Sequence, residues 1–147
     1  MDTTAVLSSD ATLSSWLDQL TATGVCLLTN AGVETDIVTR LANRICAVQR
    51  TIYGGVFDVI SQPQPINVAY SPLGLELHQD IAYYESPPGL QFLHCVRFDA
   101  NVTGGESTLC DLFAAADCLR NESPDSFDAL RTIPICFHKV WLLVIHY

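Results

Sequence analysis

"ELHQDIAYY", residues 76–84, sets His78 and Asp80 two positions apart inside a largely apolar and aromatic run. On a strand, side chains at i and i+2 leave the same face, so the imidazole and the carboxylate would point at one spot while Gln79 points away. One nitrogen and one oxygen donor converging on a point make two thirds of a facial triad, the arrangement that holds non-haem iron(II) and leaves three positions open. The triad needs a second histidine. The competing reading is a plain hydrogen-bonded His–Asp pair, because the tripeptide His-x-Asp also arises by chance.

The segments around this stretch read as short strands and turns. "INVAY" (66–70) is expected to be extended, "SPLG" and "ESPPG" are turns, and "LQFLHCVRF" (90–98) is expected to be a buried strand bounded by turn residues. Gly104-Gly105 then turns the chain into "ESTLC". Upstream, Leu13, Trp16, Leu17 and Leu20 recur at helical spacing, with Asp10 or Thr12 as cap and Gly24 as terminator. "VCLLT" (25–29) reads as a buried strand, and Ile37, Leu41, Ile45 and Val48 mark a second helix. A short strand is expected at 57–60, before the proline loop "SQPQP" (61–65). Downstream, Asp111 caps a helix running to about Asn121. Ser123-Pro124 starts another, with proline in its tolerated first-turn position, and "IPICF" (133–137) reads as a strand. With no regular alternation of strand and helix, the expected class is α+β, a mainly β core with helical flanks.

Composition narrows the partners. The chain has 147 residues, one domain's worth, and its 49% apolar content would suit a piece of a larger core. Seven Lys and Arg against sixteen Asp and Glu give a net charge of -9, which repels nucleic acid and anionic lipid. The first basic residue is Arg40, so no positively charged leader is expected and the cytosol is the expected compartment. Six cysteines scattered among apolar neighbours without a CxxC pair argue for buried free thiols rather than a zinc ribbon or a disulfide framework. The longest hydrophobic run, 140–145, is too short to cross a bilayer.

"NVAY", "LHQD", "PPGLQFLHC", "VTGGES" and "CDLF" follow one another in an order that resembles the γ-butyrobetaine and trimethyllysine dioxygenases, within the taurine-dioxygenase-like iron(II) and 2-oxoglutarate oxygenases. The likeness spans roughly residues 13–138, and the run from Asn67 to Phe113 is its specific part. The resemblance implies a double-stranded β-helix, a jelly-roll relative with the metal at the barrel mouth. His78 and Asp80 match the first two iron ligands. Leu93, Ser107 and Asn67 match positions around 2-oxoglutarate, while Tyr53, Phe57 and Tyr70 align with an aromatic cage for a trimethylammonium head. Iron(II), 2-oxoglutarate, oxygen and ascorbate as reductant are the implied cofactors, with a small betaine or trimethylated amine as substrate and a homodimer as assembly. Two departures count against γ-butyrobetaine itself: Phe57 stands in place of a tryptophan, and Ile81 in place of a polar aromatic after Asp80.

Other readings of the same residues stay open. The three aromatics also suit a core or rim, His94 suits a structural histidine, and Gly104-Gly105 suits a simple turn. Relatives carry their last histidine ligand and a 2-oxoglutarate-gripping arginine further downstream. The chain is therefore expected to be one partial dioxygenase domain over 1–147, truncated at its C-terminus, with a divergent tail at 139–147. His138 or His146 replacing the missing ligand is the lesser alternative. Two competing functions remain: a catalytically inactive fragment that pairs with a full-length homologue through an unpaired strand edge, and a zinc hydrolase using His78, Asp80 and His138, for which no general-base motif is present.

Overall fold

The periodicity that begins at Leu13 belongs to a longer helix than the apolar residues alone mark. In the computed structural model, which describes residues 1–65, 67–137 and 139, this helix starts at Asp10, where the Ser9 hydroxyl accepts from the Thr12 N–H at 3.3 Å. It stops at Gly24, which takes the left-handed conformation (φ 73°) that glycine adopts without a Cβ penalty. Among the described residues the helices are α1 (Thr3–Ser8), α2 (Asp10–Thr23), α3 (Ile37–Ala42), α4 (Leu112–Glu122) and α5 (Pro124–Thr132), with a 3-10 turn at Val68–Tyr70. No helix among them is long and apolar enough to cross a membrane.

The chain divides into two units. The first is Met1–Asp58 with Gly89–Gly104, and the second is Val59–Pro88 with Gly105–Tyr147.

In the first unit α1 packs on α2 and α3. Val6, Trp16, Ile37 and Leu41 form its buried core, edged by Leu13, Leu20 and Phe92 among others. The Phe92 ring meets Trp16 edge-on at 5.9 Å between centroids, a favoured aromatic geometry. Helix α1 has no counterpart in the sequence-based reading. Its signal is Asp2, whose carboxylate accepts from the Ala5 N–H at 3.0 Å and so caps the first turn. Thr29 secures the same end, accepting from the Thr3 N–H at 2.9 Å and donating to the Met1 carbonyl at 2.8 Å. The Asn30 side-chain amide donates to Asp2 at 2.8 Å. That bond, followed by the Ala5 one, holds the Asp2 carboxyl below the usual carboxylate range.

In the second unit Asp111 accepts from the Phe113 and Ala114 N–H groups and caps α4 as expected. Pro124 opens α5. The two helices pack together, with the Arg120 guanidinium 4.6 Å over the Phe127 ring. Neither helix buries a residue fully.

The mainly β core does not form among the described residues. Pairing is limited to two isolated bridges, Asp2 with Thr29 and Thr51 with Gly54. The segments read as strands at 25–29, 57–60, 90–98 and 133–137 carry no ladder, and "INVAY" becomes a 3-10 turn from Val68 onwards, Ile66 lying outside the described residues. The physical reason is pairing. A strand persists only where a neighbour takes up its N–H and C=O groups, and hydrophobic residues then bury against the sheet so formed. Without that neighbour Leu27 and Leu93 stay 79% and 78% exposed, and the cysteines, free as expected, are not buried: Cys26 is half-buried and Cys46, Cys95, Cys110, Cys118 and Cys136 are exposed. The second helix is likewise shorter than its pattern, ending at Ala42 before Ile45 and Val48. His138, His146 and most of the expected tail at 139–147 lie outside the described residues.

Trp16→Ala is expected to cost about 3–5 kcal/mol through the lost apolar contacts and the cavity left behind, read as a fall in the urea midpoint followed by circular dichroism. The lowered Asp2 value sets a pH test. Its contribution is present above the ordinary carboxylate value of 3.8 and is lost as pH falls through the lowered folded one, so wild type and Asp2→Ala should differ in urea midpoint at pH 7 and converge only once the pH is below that lowered value.

Candidate metal centre

The chain reaches the His-x-Asp pair through a series of side-chain and backbone caps. Asn67 accepts from the Ala69 N–H at 3.0 Å and starts the 3-10 turn, the Ser71 hydroxyl donates to the Val68 carbonyl at 2.7 Å, and the Gln62 N–H donates to the Tyr70 carbonyl at 2.7 Å. Asn67 is thus occupied as a cap, and Tyr70 is half-buried.

From Glu76 to Asp80 the chain is not a strand, yet the two side chains converge. His78 Nε2 lies 3.5 Å from Asp80 Oδ1. The other ring nitrogen, Nδ1, lies 2.7 Å from the Glu76 carbonyl oxygen. A carbonyl only accepts, so Nδ1 carries the proton and Nε2 presents its lone pair. Nε2 and Oδ1 then face each other as two acceptors, too far apart for a normal hydrogen bond. A cation bound by both atoms is compatible with this spacing. Donors about 2.1 Å from one metal and at right angles to each other stand about 3 Å apart, so the observed separation needs only a small closure. Histidine metal ligands commonly hold a carbonyl with their second nitrogen in this way. The residues present therefore fit a metal as two of its ligands. Among the described residues no cluster of three His, Cys, Asp or Glu side chains could hold one. Both side chains are about half exposed, 52% and 55%, so water reaches the pair.

Immediately after Asp80 the backbone reverses. Ile81 has φ 59°, and the Tyr84 N–H donates to its carbonyl at 3.0 Å, closing a turn. A β-branched residue in the left-handed region costs about 1–2 kcal/mol, and such strain collects where surroundings hold a functional geometry. The turn sets the Tyr83 and Tyr84 rings edge to face, 5.4 Å apart.

Of the other expected site residues, Tyr53 and Phe57 are brought together, ring centroids 5.4 Å apart and tilted by 35°. Leu93 is largely exposed, and Ser107 is exposed beyond Gly104 and Gly105, both left-handed at φ 78° and 85°. His94 takes the structural role expected of it, with Nε2 2.9 Å from the Gly32 carbonyl oxygen. A cavity of about 620 Å³ beside α1 and α3 is lined by Asn30, Glu34 and Arg40 among others and by none of these site residues. Sequence reasoning missed the Glu76 carbonyl, because a main-chain acceptor leaves no mark on residue identity. It also missed the kink at Ile81, where the usual glycine or asparagine signal is absent.

The chain's sequence, over residues 1–145, matches the family described as Taurine catabolism dioxygenase TauD, TfdA family. The chain belongs to the TauD/TfdA family. It is 39% identical over 135 residues to the gamma-butyrobetaine dioxygenase of Pseudomonas sp. (strain AK-1), covering 92% of this chain and 35% of that relative. It is 32% identical over 140 residues to the human gamma-butyrobetaine dioxygenase, covering 95% and 36%. It is 30% identical over 135 residues to the mitochondrial trimethyllysine dioxygenase of Gallus gallus, covering 92% and 32%. The chain spans about a third of the length of these curated relatives. No solved structure matches it. This TauD/TfdA chain therefore belongs to an oxygenase enzyme family, and its His-x-Asp pair sits within the matched region.

If Nε2 and Oδ1 share a cation, manganese(II) added under argon should bind the wild-type chain, and His78→Ala or Asp80→Ala should each weaken that binding at least tenfold. The free manganese signal in electron paramagnetic resonance measures this directly.

Proposed function

We propose that this chain supplies the first two iron ligands of an iron(II) and 2-oxoglutarate-dependent dioxygenase that hydroxylates a small betaine or trimethylated amine. The observation that carries the reading is the convergence of His78 Nε2 and Asp80 Oδ1 at 3.5 Å in a TauD/TfdA chain. When bound, iron(II) with 2-oxoglutarate and oxygen supplies the oxidising power to hydroxylate an unactivated C–H bond, the cosubstrate leaving as succinate and carbon dioxide. Ascorbate serves as the reductant. The chain's own residues bind and orient. His78 and Asp80 hold the metal, and the Glu76 carbonyl keeps the His78 proton on Nδ1. Leu93, Ser107 and Asn67 are assigned to 2-oxoglutarate. The ring faces of Tyr53, Phe57 and Tyr70 are assigned to the cationic head, an attraction the paired Tyr53 and Phe57 rings support. A jelly-roll enclosure of the site, a homodimer and cytosolic residence belong to the same proposal. The relatives named gamma-butyrobetaine and trimethyllysine dioxygenase support this choice of substrate class.

A second reading is an interaction partner without turnover. Two observations favour it: two rather than three ligands among the described residues, and large apolar side chains left exposed on segments of strand-like sequence, including Leu27, Leu93 and Phe137. The deciding assay follows succinate formation from 2-oxoglutarate with iron(II), ascorbate and γ-butyrobetaine or trimethyllysine. The dioxygenase reading expects succinate that His78→Ala and Asp80→Ala abolish. Absence of succinate from a chain that retains its helical circular dichroism overturns that reading in favour of the partner.

A further inference from the structure

The cavity of about 620 Å³ beside α1 and α3 presents charges of both signs. Glu34 and Asp36 line it with carboxylates and Arg40 lines it with a guanidinium. Asp36 and Arg40 stand four positions apart, the spacing at which an acid and a following base commonly pair along a helix. They do not pair here, and none of the three side chains takes part in an ion pair or a hydrogen bond among the described residues. The loop that carries Glu34 is tied down at two points. The Asn30 amide donates to Asp2 at 2.8 Å, and His94 Nε2 lies 2.9 Å from the Gly32 carbonyl oxygen. Gly32 is left-handed at φ 72°, and the Glu34 carboxylate folds against its bare Cα, in space that a Cβ would fill. The charged wall is thus set before a ligand arrives, so little ordering is lost on binding.

We infer that this cavity binds free α-amino acids, with the carboxylate on Arg40 and the primary ammonium on Glu34 and Asp36. A guanidinium forks onto the two oxygens of a carboxylate, and a primary ammonium offers three N–H donors to carboxylates, which accept only. An ion of single charge is drawn to one side of the cavity and repelled by the other, whereas a zwitterion is attracted at both ends. The volume falls within the range of small-molecule sites, roughly 300–1,000 Å³, and leaves room for a side chain beside the two charged groups.

The test is nuclear magnetic resonance of the metal-free full chain, following the Gly32 and Ile37 amide signals as glycine, sodium acetate or methylammonium chloride is added at constant ionic strength. Glycine should bind more tightly than either single-charge ion. It should also bind more tightly than trimethylglycine, which keeps both charges but has no N–H to donate. Arg40→Gln and Glu34→Gln should each weaken glycine binding about threefold, the size of one exposed ion pair. Gly32→Ala should weaken it as well, because the added Cβ displaces the Glu34 carboxylate. The inference is overturned if acetate, methylammonium or trimethylglycine binds as tightly as glycine, or if glycine leaves both signals unmoved. It is equally overturned if any of the three variants keeps its helical circular dichroism and binds glycine as the wild type does.

Discussion

The metal-binding reading depends on a single hydrogen bond, from His78 Nδ1–H to the Glu76 carbonyl at 2.7 Å. It decides which nitrogen is available. With the proton held on Nδ1 of the neutral ring, Nε2 offers a lone pair on the side of Asp80 Oδ1, a spacing compatible with a shared cation. A main-chain acceptor two residues upstream thus leaves Nε2 as the ring nitrogen on the Asp80 side.

The convergence arises without the strand that sequence alternation suggests. On a strand the i, i+2 rule would bring the side chains to one face; here a kinked segment does so, closed off by the left-handed Ile81 and the turn to Tyr84. The two routes yield the same pair of donors but different surroundings. A sheet would bury the pair, whereas both side chains are half exposed here. Oxygen chemistry at a metal demands that water be kept out. In the proposed dioxygenase reading, that exclusion must come from elements around the half-exposed donor pair.

The helices were legible because their determinants are local. Asp111 and Pro124 mark helix starts, Gly24 marks an end, and the periodic Trp16 and Leu41 mark the faces that form the small core. The short α1 was missed because Asp2 at its cap lacks a following apolar stripe long enough to read. The strands failed for the opposite reason. "VCLLT" and "LQFLHCVRF" have the composition of buried strands, but strand formation is a property of two segments, and no ladder joins them to a partner among the described residues. At the site, His78 and Asp80 were legible as residue types at a fixed spacing. The carbonyl that orients one and the kink that follows the other are main-chain geometry, which residue identity does not encode.

The most direct test of the central claim is an X-ray structure of the natural protein loaded anaerobically with manganese(II), read by the anomalous signal of the metal. The account predicts one ion bound through His78 Nε2 and an Asp80 carboxylate oxygen, with Nδ1 still on the Glu76 carbonyl. An ion on other residues, or His78 bound through Nδ1 with its link to Glu76 broken, would contradict it.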